Sequence, residues 1–297
     1  MNLQGIIPAC VTPFIGGQAS PGAMKHNIRR WLDAGVHGFL IFGSTGEFMF
    51  LESKERREIL QAARASTPGD RLLLAGCGAE STQKTMRNLV WAAEDGADAG
   101  LVVTPVYYTR GNREAQRRHF LTLADKSPIP ILLYTVPAFT AYNLPLELIE
   151  ELARHPNIIG IKDSSGDIKR ITLQLRIQET ESFALFAGNP NLAYPALIMG
   201  ATGSITAFAN IVPEMLIALW NAVQERDLVR AAAMQRALTE LHGKIGPLGI
   251  PAIKSIMNHR GYQAGEPRLP LTALDAKATE FAITAWKQAM GICEWWE

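Results

Sequence analysis

The sequence predicts an α/β fold: a (β/α)8 barrel of parallel strands with a C-terminal helical extension. Three observations predict it. Eight short, almost continuous apolar runs alternate with amphipathic stretches, the pattern of strands buried on both faces beneath helices. The eight units occupy about 220 of the 297 residues, near the roughly 250 typical of a barrel. A doubly wound open sheet is the rival closure, but no G-x-G-x-x-G follows the first run.

The runs cover residues 6–11, 38–42, 72–75, 100–103, 129–134, 158–162, 184–187 and 203–206. Between the third and fourth, Ser81 is placed to cap a helix. Met86, Leu89, Val90 and Ala93 follow at i, i+3, i+4, i+7, and Gly96 stands where a helix C-terminus favours glycine. Pro145 and Pro213 suit first-turn positions of two later helices. His155-Pro156 ends the first of these. Beyond Thr206 only helical patterns remain, over about 213–223, 225–242, 251–258 and 271–290. Residues 1–224 therefore read as the barrel, and 225–297 as a helical extension packed on it. No Ser/Gly linker or low-complexity segment separates the two.

Composition narrows the function classes. With 47% apolar residues the chain can build a large core, and a net charge of +1 gives no basic surplus for a nucleic-acid partner. Arg110, Arg113, Arg117 and Arg118 read as solvated helix faces. Cys10, Cys77 and Cys293 are odd in number and widely spaced, and the six histidines are scattered. That pattern suits neither a disulfide framework nor a metal site. Neither a secretory leader nor a bilayer-length apolar stretch is evident, so a cytoplasmic location without a membrane partner is expected.

In a barrel, residues at the C-terminal strand ends face the reaction centre. Those ends carry Gly43-Ser44-Thr45-Gly46-Glu47, Thr104-Pro105-Val106-Tyr107-Tyr108, Tyr134-Thr135-Val136-Pro137, Lys162, Gly188-Asn189-Pro190 and Gly203-Ser204-Ile205-Thr206. Lys162 closes the apolar run Ile158-Ile159-Gly160-Ile161, an unusual place for a cation. Withdrawal from water favours a neutral amine, which can attack a ketone to form a Schiff base. Tyr134 can move the protons that imine chemistry requires. Ser44 and Thr45 offer hydroxyls and, in a glycine-flanked turn, N–H groups suited to a carboxylate. Plainer roles exist for each residue alone. Lys162 could snorkel to the surface, and Tyr134 could reach water. Residues 43–47 could form only a strand-to-helix turn with Glu47 favouring a helix start, and Tyr107-Tyr108 could pack a loop.

The glycine turn at 43–47, Tyr134-x-x-Pro137 and the run Gly160-Ile161-Lys162-Asp163-Ser164-Ser165-Gly166-Asp167 resemble the dihydrodipicolinate synthase / N-acetylneuraminate lyase family. The start, Ile7-Pro8-Ala9-Cys10-Val11-Thr12-Pro13-Phe14, is similar too. So is the tail, Gly249-Ile250-Pro251-Ala252-Ile253-Lys254 with Arg260-Gly261 and Pro270-Leu271. The resemblance spans nearly the whole chain, with the motifs in family order. It implies a class I aldolase, a carbon–carbon lyase acting on pyruvate or a related 2-oxo acid plus an aldehyde. The imine is the electron sink, so neither metal nor organic cofactor is implied. It also implies a homotetramer built as a dimer of dimers. By the same resemblance Lys162 matches the imine-forming lysine and Tyr134 the proton-relay tyrosine. Ser44 and Thr45 match the hydroxyl pair at the 2-oxo acid carboxylate and the relay. Gly188 and Ile205 match backbone positions lining the pyruvate site. Tyr108, or Tyr107 in this longer loop, matches the tyrosine that a partner subunit inserts.

Two departures bear on the second substrate. Synthases of this family place an arginine where Phe139 stands, to grip the carboxylate of aspartate semialdehyde. A phenyl ring cannot replace that bidentate contact. The loss corresponds to about 2–5 kcal/mol, roughly 30-fold to several-thousand-fold in specificity. Sialate lyases carry an acidic pair after the strand-7 glycine, where this chain has Asn189-Pro190-Asn191. The stretch from Pro137 to Pro145 is closer to aldolases of 2-keto-3-deoxy sugar acids and 4-hydroxy-2-oxoglutarate. The leading expectation is therefore a pyruvate-dependent aldolase acting on a 2-keto-3-deoxy sugar acid, with Phe139 at its aldehyde side. A dihydrodipicolinate synthase, a deoxy-sugar-acid dehydratase and a non-catalytic 2-oxo acid binder are the alternatives.

Overall fold

The eight apolar runs form eight parallel strands in the computed structural model, which describes residues 3–293. They are β1 (Gly5–Pro8), β2 (Gly38–Ile41), β3 (Leu72–Gly76), β4 (Ala99–Val103), β5 (Ile131–Thr135), β6 (Ile158–Asp163), β7 (Ala184–Ala187) and β8 (Gly203–Thr206). From β2 to β8 each strand pairs with the next in sequence, and β8 returns to pair with β1. The ring closes through a parallel bridge between Ala9 and Leu40. There His37 N donates to Ile6 O and Cys10 N to Leu40 O, both at 2.9 Å. The fold is thus a closed barrel rather than an open sheet.

Side-chain alternation along the strands gives two cores. Ile7, Leu40, Leu74, Leu101, Leu132, Phe186 and Ile205 belong to an inner cluster that fills the barrel. Their neighbours Ile6, Phe39, Ile41, Leu73, Val102, Leu133, Ile161 and Leu185 belong to a larger outer cluster against the helices. Those helices are α1 (Pro21–Asp33), α2 (Ser53–Arg64), α3 (Thr82–Glu94), α4 (Arg113–Lys126), α5 (Leu146–Ala153), α6 (Ile168–Leu175), α7 (Ala193–Ile198) and α8 (Pro213–Gln224).

Local chemistry explains the boundaries. Ser81 caps α3 by accepting from Lys84 N at 3.2 Å, and Gly96 follows its end at φ 89°. Pro213 opens α8, whereas Pro145 lies one residue outside α5, its ψ of 140° being extended. β1 stops at Pro8, short of residue 11, because Val11 N turns to Asn210 Oδ1 at 3.2 Å. A small hairpin, Phe14–Ile15 with Gln18–Ala19, turns on Gly16 and Gly17, both at positive φ. Strands of two residues are too short for periodicity to reveal.

Three further helices follow among the described residues: α9 (Leu228–Ile245), α10 (Gly249–His259) and α11 (Ala276–Cys293). α9 and α11 begin later than the expected 225 and 271 because Asp227 and Asp275 cap them, accepting from Arg230 N and Ala278 N. Trp286 of α11 and Arg260 both donate to the Ile211 carbonyl, at 2.8 and 2.6 Å, tying this layer to the barrel. Trp295 and Trp296 lie outside the described residues, as does the side chain of Cys293. None of the described helices is long and apolar enough to cross a membrane.

Candidate active site

β5 and β6 place Tyr134 and Lys162 opposite each other in register, and Phe186 on β7 is the next partner of Lys162. Alternation turns Tyr134 and Phe186 inward, at the C-terminal end of the barrel. Both Lys162 and Tyr134 are only 4% exposed, yet neither the amine nor the hydroxyl is among the fully buried unpartnered polar atoms, so both tips keep access to solvent. The Lys162 amine sits 4.6 Å from the centre of the Tyr134 ring. Among the described residues, neither the Lys162 amine nor the Tyr134 hydroxyl has a hydrogen-bond or ion-pair partner. A lysine stem withdrawn from water, with an amine that has no internal partner and is open to solvent, is available to react.

The strand ends that carry these groups are fixed from outside. The carboxylate of Asp163, pointing away from Lys162 along the strand, accepts from Arg170 Nε at 3.1 Å and Gln174 Nε2 at 2.6 Å. Its other oxygen accepts from Ser165 N at 2.8 Å, and Arg170 also donates to the Leu144 carbonyl at 2.6 Å. Thr104 holds the Tyr134 carbonyl through its hydroxyl at 3.3 Å. Gly188 N donates to the Asp163 carbonyl at 2.7 Å. A Cβ at Gly188 would lie 2.0 Å from Ser164 Oγ and 3.1 Å from Lys162 Cε, so a glycine makes room beside the amine.

Across the mouth, residues Ser44–Gly46 form a single 3-10 turn at the end of β2. Gly46 N and Glu47 N close it onto the carbonyls of Gly43 and Ser44, and Thr12 Oγ1 holds the Gly46 carbonyl at 2.6 Å. Ser44 and Thr45 are half-buried, and their hydroxyls have no partner among the described residues. Glu47 does precede a short 3-10 turn, Phe48–Phe50, but its carboxylate does not cap it, so the plainer helix-start role is not the one it plays. It adopts a left-handed φ of 54° and is 3% exposed. Its Oε1 lies 2.7 Å from the amine of Lys254 on α10, and Oε2 accepts from Arg268 N at 2.8 Å. Burial pulls the Lys254 amine below the usual lysine range, and Glu47 opposes that pull.

The remaining expected residues are more scattered. Ile205 is fully buried in the inner core, in register with Ile7 of β1. Tyr107 and Tyr108 are 78% and 86% exposed, edge to face at 4.8 Å, and are not brought to Lys162 within this chain. Glu80 anchors their loop by accepting from Val106 N at 3.1 Å and Tyr107 N at 2.9 Å. Phe139 is 73% exposed on the short helix Pro137–Thr140. Asn189 Oδ1 accepts from Asn191 N at 2.9 Å, whereas the buried Oδ1 of Asn191 has no partner among the described residues. No group of three or more His, Cys, Asp or Glu among the described residues is placed to hold a metal. Burial raises the Cys77 thiol to about 12 and Cys10 higher still, so neither offers a thiolate nucleophile.

Sequence reading missed the Glu47–Lys254 pair and the Asp163–Arg170–Gln174 cluster. The first did leave a signal. Ile250, Ile253, Lys254 and Met257 share one helical face, so a lysine stands on an apolar stripe. Asp163 left none, because its partners lie on the following helix and only the fold brings them behind the strand.

Comparison with known proteins places these features in a family. A family model described as the dihydrodipicolinate synthetase family matches residues 2–289. A 4-hydroxy-tetrahydrodipicolinate synthase of Methanoculleus marisnigri is 37% identical, covering 93% of this chain and 96% of the relative. A prophage protein of the dihydrodipicolinic acid synthase family from E. coli K12, solved in complex with pyruvate, superposes with a TM-score of 0.90 at 27% identity. That match covers 97% of this chain and 98% of the other. A dihydrodipicolinate synthase variant described as monomeric superposes with a TM-score of 0.91 at 25% identity, covering 97% of each chain.

Proposed function

Since the chain belongs to the dihydrodipicolinate synthetase family of class I aldolases, we propose that it makes and breaks a carbon–carbon bond between pyruvate and a polyhydroxylated aldehyde. The combined substrate is a 2-keto-3-deoxy sugar acid. The observation that carries this reading is Lys162 itself, only 4% exposed, whose amine lies beside Tyr134 with no partner among the described residues.

Lys162 Nζ adds to the C2 carbonyl, and loss of water gives a protonated imine. In the cleavage direction the C4 hydroxyl loses its proton as the C3–C4 bond breaks. The bonding pair moves into the imine to give an enamine, and the aldehyde departs. Protonation of the enamine at C3 and hydrolysis release pyruvate and restore the amine. Tyr134 is the residue placed to pass these protons. Ser44 and Thr45, whose hydroxyls have no partner among the described residues, are suited to the 2-oxo acid carboxylate, and Thr45 to the relay. Gly188 leaves room for the adduct, and the backbone of Ile205 lines the floor. Tyr108, or its neighbour Tyr107, would complete the relay from a partner subunit in a homotetramer, which accounts for two tyrosines exposed on an anchored loop. The expected compartment is the cytoplasm, in keeping with buried unpaired thiols at Cys10 and Cys77.

The names of the relatives favour a second reading, condensation of pyruvate with aspartate semialdehyde. Phe139 stands against it, because an exposed ring offers nothing to a carboxylate. Borohydride reduction in the presence of pyruvate tests the shared chemistry: a pyruvyl adduct on Lys162 is expected, and its absence from folded protein would sink both readings. Incubation with 2-keto-3-deoxygluconate, with product analysis, separates aldolase from dehydratase. Rapid turnover of aspartate semialdehyde would replace the first reading with the second. Pyruvate binding with neither adduct nor turnover would mark a non-catalytic binder.

A further inference from the structure

Glu47 and Lys254 are buried together, one at the barrel mouth and the other in the C-terminal helical layer. A buried ion pair is weak evidence of stabilisation, because desolvation offsets the attraction. Its place in the fold is more informative. Glu47 directly follows Ser44-Thr45-Gly46, in a left-handed conformation that its surroundings must maintain. Its oxygens are held by two separate parts of the C-terminal layer, the Lys254 amine and the Arg268 N–H. Lys254 donates in turn to the Glu266 carbonyl at 3.0 Å and lies 4.4 Å from the Phe14 ring centre. Arg268 grips both oxygens of Glu55, at 2.6 and 2.8 Å, and the carbonyls of Phe50 and Gly17, at 2.7 and 2.9 Å. The turn is therefore clamped from behind while its own hydroxyls have no partner among the described residues.

Resting on the reading of Ser44 and Thr45 as substrate-facing hydroxyls, we infer that Glu47 and Lys254 are positioning residues through which the C-terminal helical layer sets the orientation of those hydroxyls. Lys162 is fixed independently, through β6, Asp163 and Gly188. Loss of the clamp should thus spare imine formation and slow the proton transfers that follow. A displacement of about 1 Å at a reacting group costs on the order of a hundredfold.

Exchange of the pyruvate methyl protons with D2O, followed by proton NMR, reads those transfers without an aldehyde. In E47Q and in K254M, exchange at saturating pyruvate is expected to fall about ten- to hundredfold. Borohydride should still trap a pyruvyl group on Lys162 in full, with half-saturation at higher pyruvate. Each single variant leaves one buried charge unpaired, so folding is checked by circular dichroism. The neutral E47Q/K254M pair serves where a single variant does not fold, with the same slow exchange expected. Exchange within twofold of the unsubstituted protein in any folded variant would overturn the inference, since a purely structural pair predicts that result. Failure of the underlying reading looks different: the unsubstituted protein would show neither adduct nor exchange, and the inference would fall with it.

Discussion

The amine of Lys162 lies 4.6 Å from the ring centre of Tyr134, its register partner on the adjacent strand, and among the described residues it forms no ion pair. Lys254 is the contrasting case, a lysine still more deeply buried and matched by Glu47 at 2.7 Å. The same side chain thus occurs twice in the interior, once compensated and once left available.

Replacing Lys162 by Met should abolish the pyruvyl adduct, read by mass spectrometry after borohydride. It should also stabilise the fold modestly, because a side chain only 4% exposed exchanges an amine without an internal partner for an apolar end of similar length. A rise in melting temperature of about 2–5 °C is expected. A fall would show that Lys162 has a structural partner.

Y134F removes a hydroxyl that has no partner among the described residues and keeps the ring beside the amine. Stability should stay within about 0.5 kcal/mol. Methyl-proton exchange of pyruvate should slow by about 10²–10⁴-fold, the range for loss of a general acid–base group. Unchanged exchange would remove Tyr134 from the relay.

G188A introduces a methyl group 3.1 Å from Lys162 Cε and 2.0 Å from Ser164 Oγ. Adduct formation should fall more than tenfold while circular dichroism stays that of the folded barrel. Normal trapping kinetics would mean that the loop yields easily.

His119 supplies a pH prediction. Burial lowers its pKa to about 4, and its Nδ1 meets Thr82 Oγ1 at 2.9 Å. Between about pH 6.5 and 4 the unfolded chain binds the proton and the folded chain does not. Stability is therefore full above about 6.5 and declines as pH falls, by about 3 kcal/mol at most from this group. H119Q should flatten that part of the profile in urea titrations between pH 4 and 7. An identical slope in both proteins would exclude His119 as the source.

Sequence alone determined the eight parallel strand–helix units, because apolar runs and amphipathic stretches report burial residue by residue, whereas the Ala9–Leu40 bridge decided their closure into a ring. It also exposed Lys162, since a cation ending a buried strand is chemically conspicuous, and with it the strand-end set of Ser44, Thr45, Tyr134 and Gly188. Phe139 was legible only as a departure: the residue is plain, but its meaning depends on what normally stands there. Tertiary structure decided which charges are neutralised and by what. The Glu47 carboxylate read as a helix-start charge until the fold buried it against Lys254, more than two hundred residues away in sequence. Asp163 likewise gained Arg170 and Gln174 only when α6 packed behind β6. Periodicity is local and survives in the sequence, whereas electrostatic pairing depends on distances of a few ångströms between segments that only the closed barrel brings together.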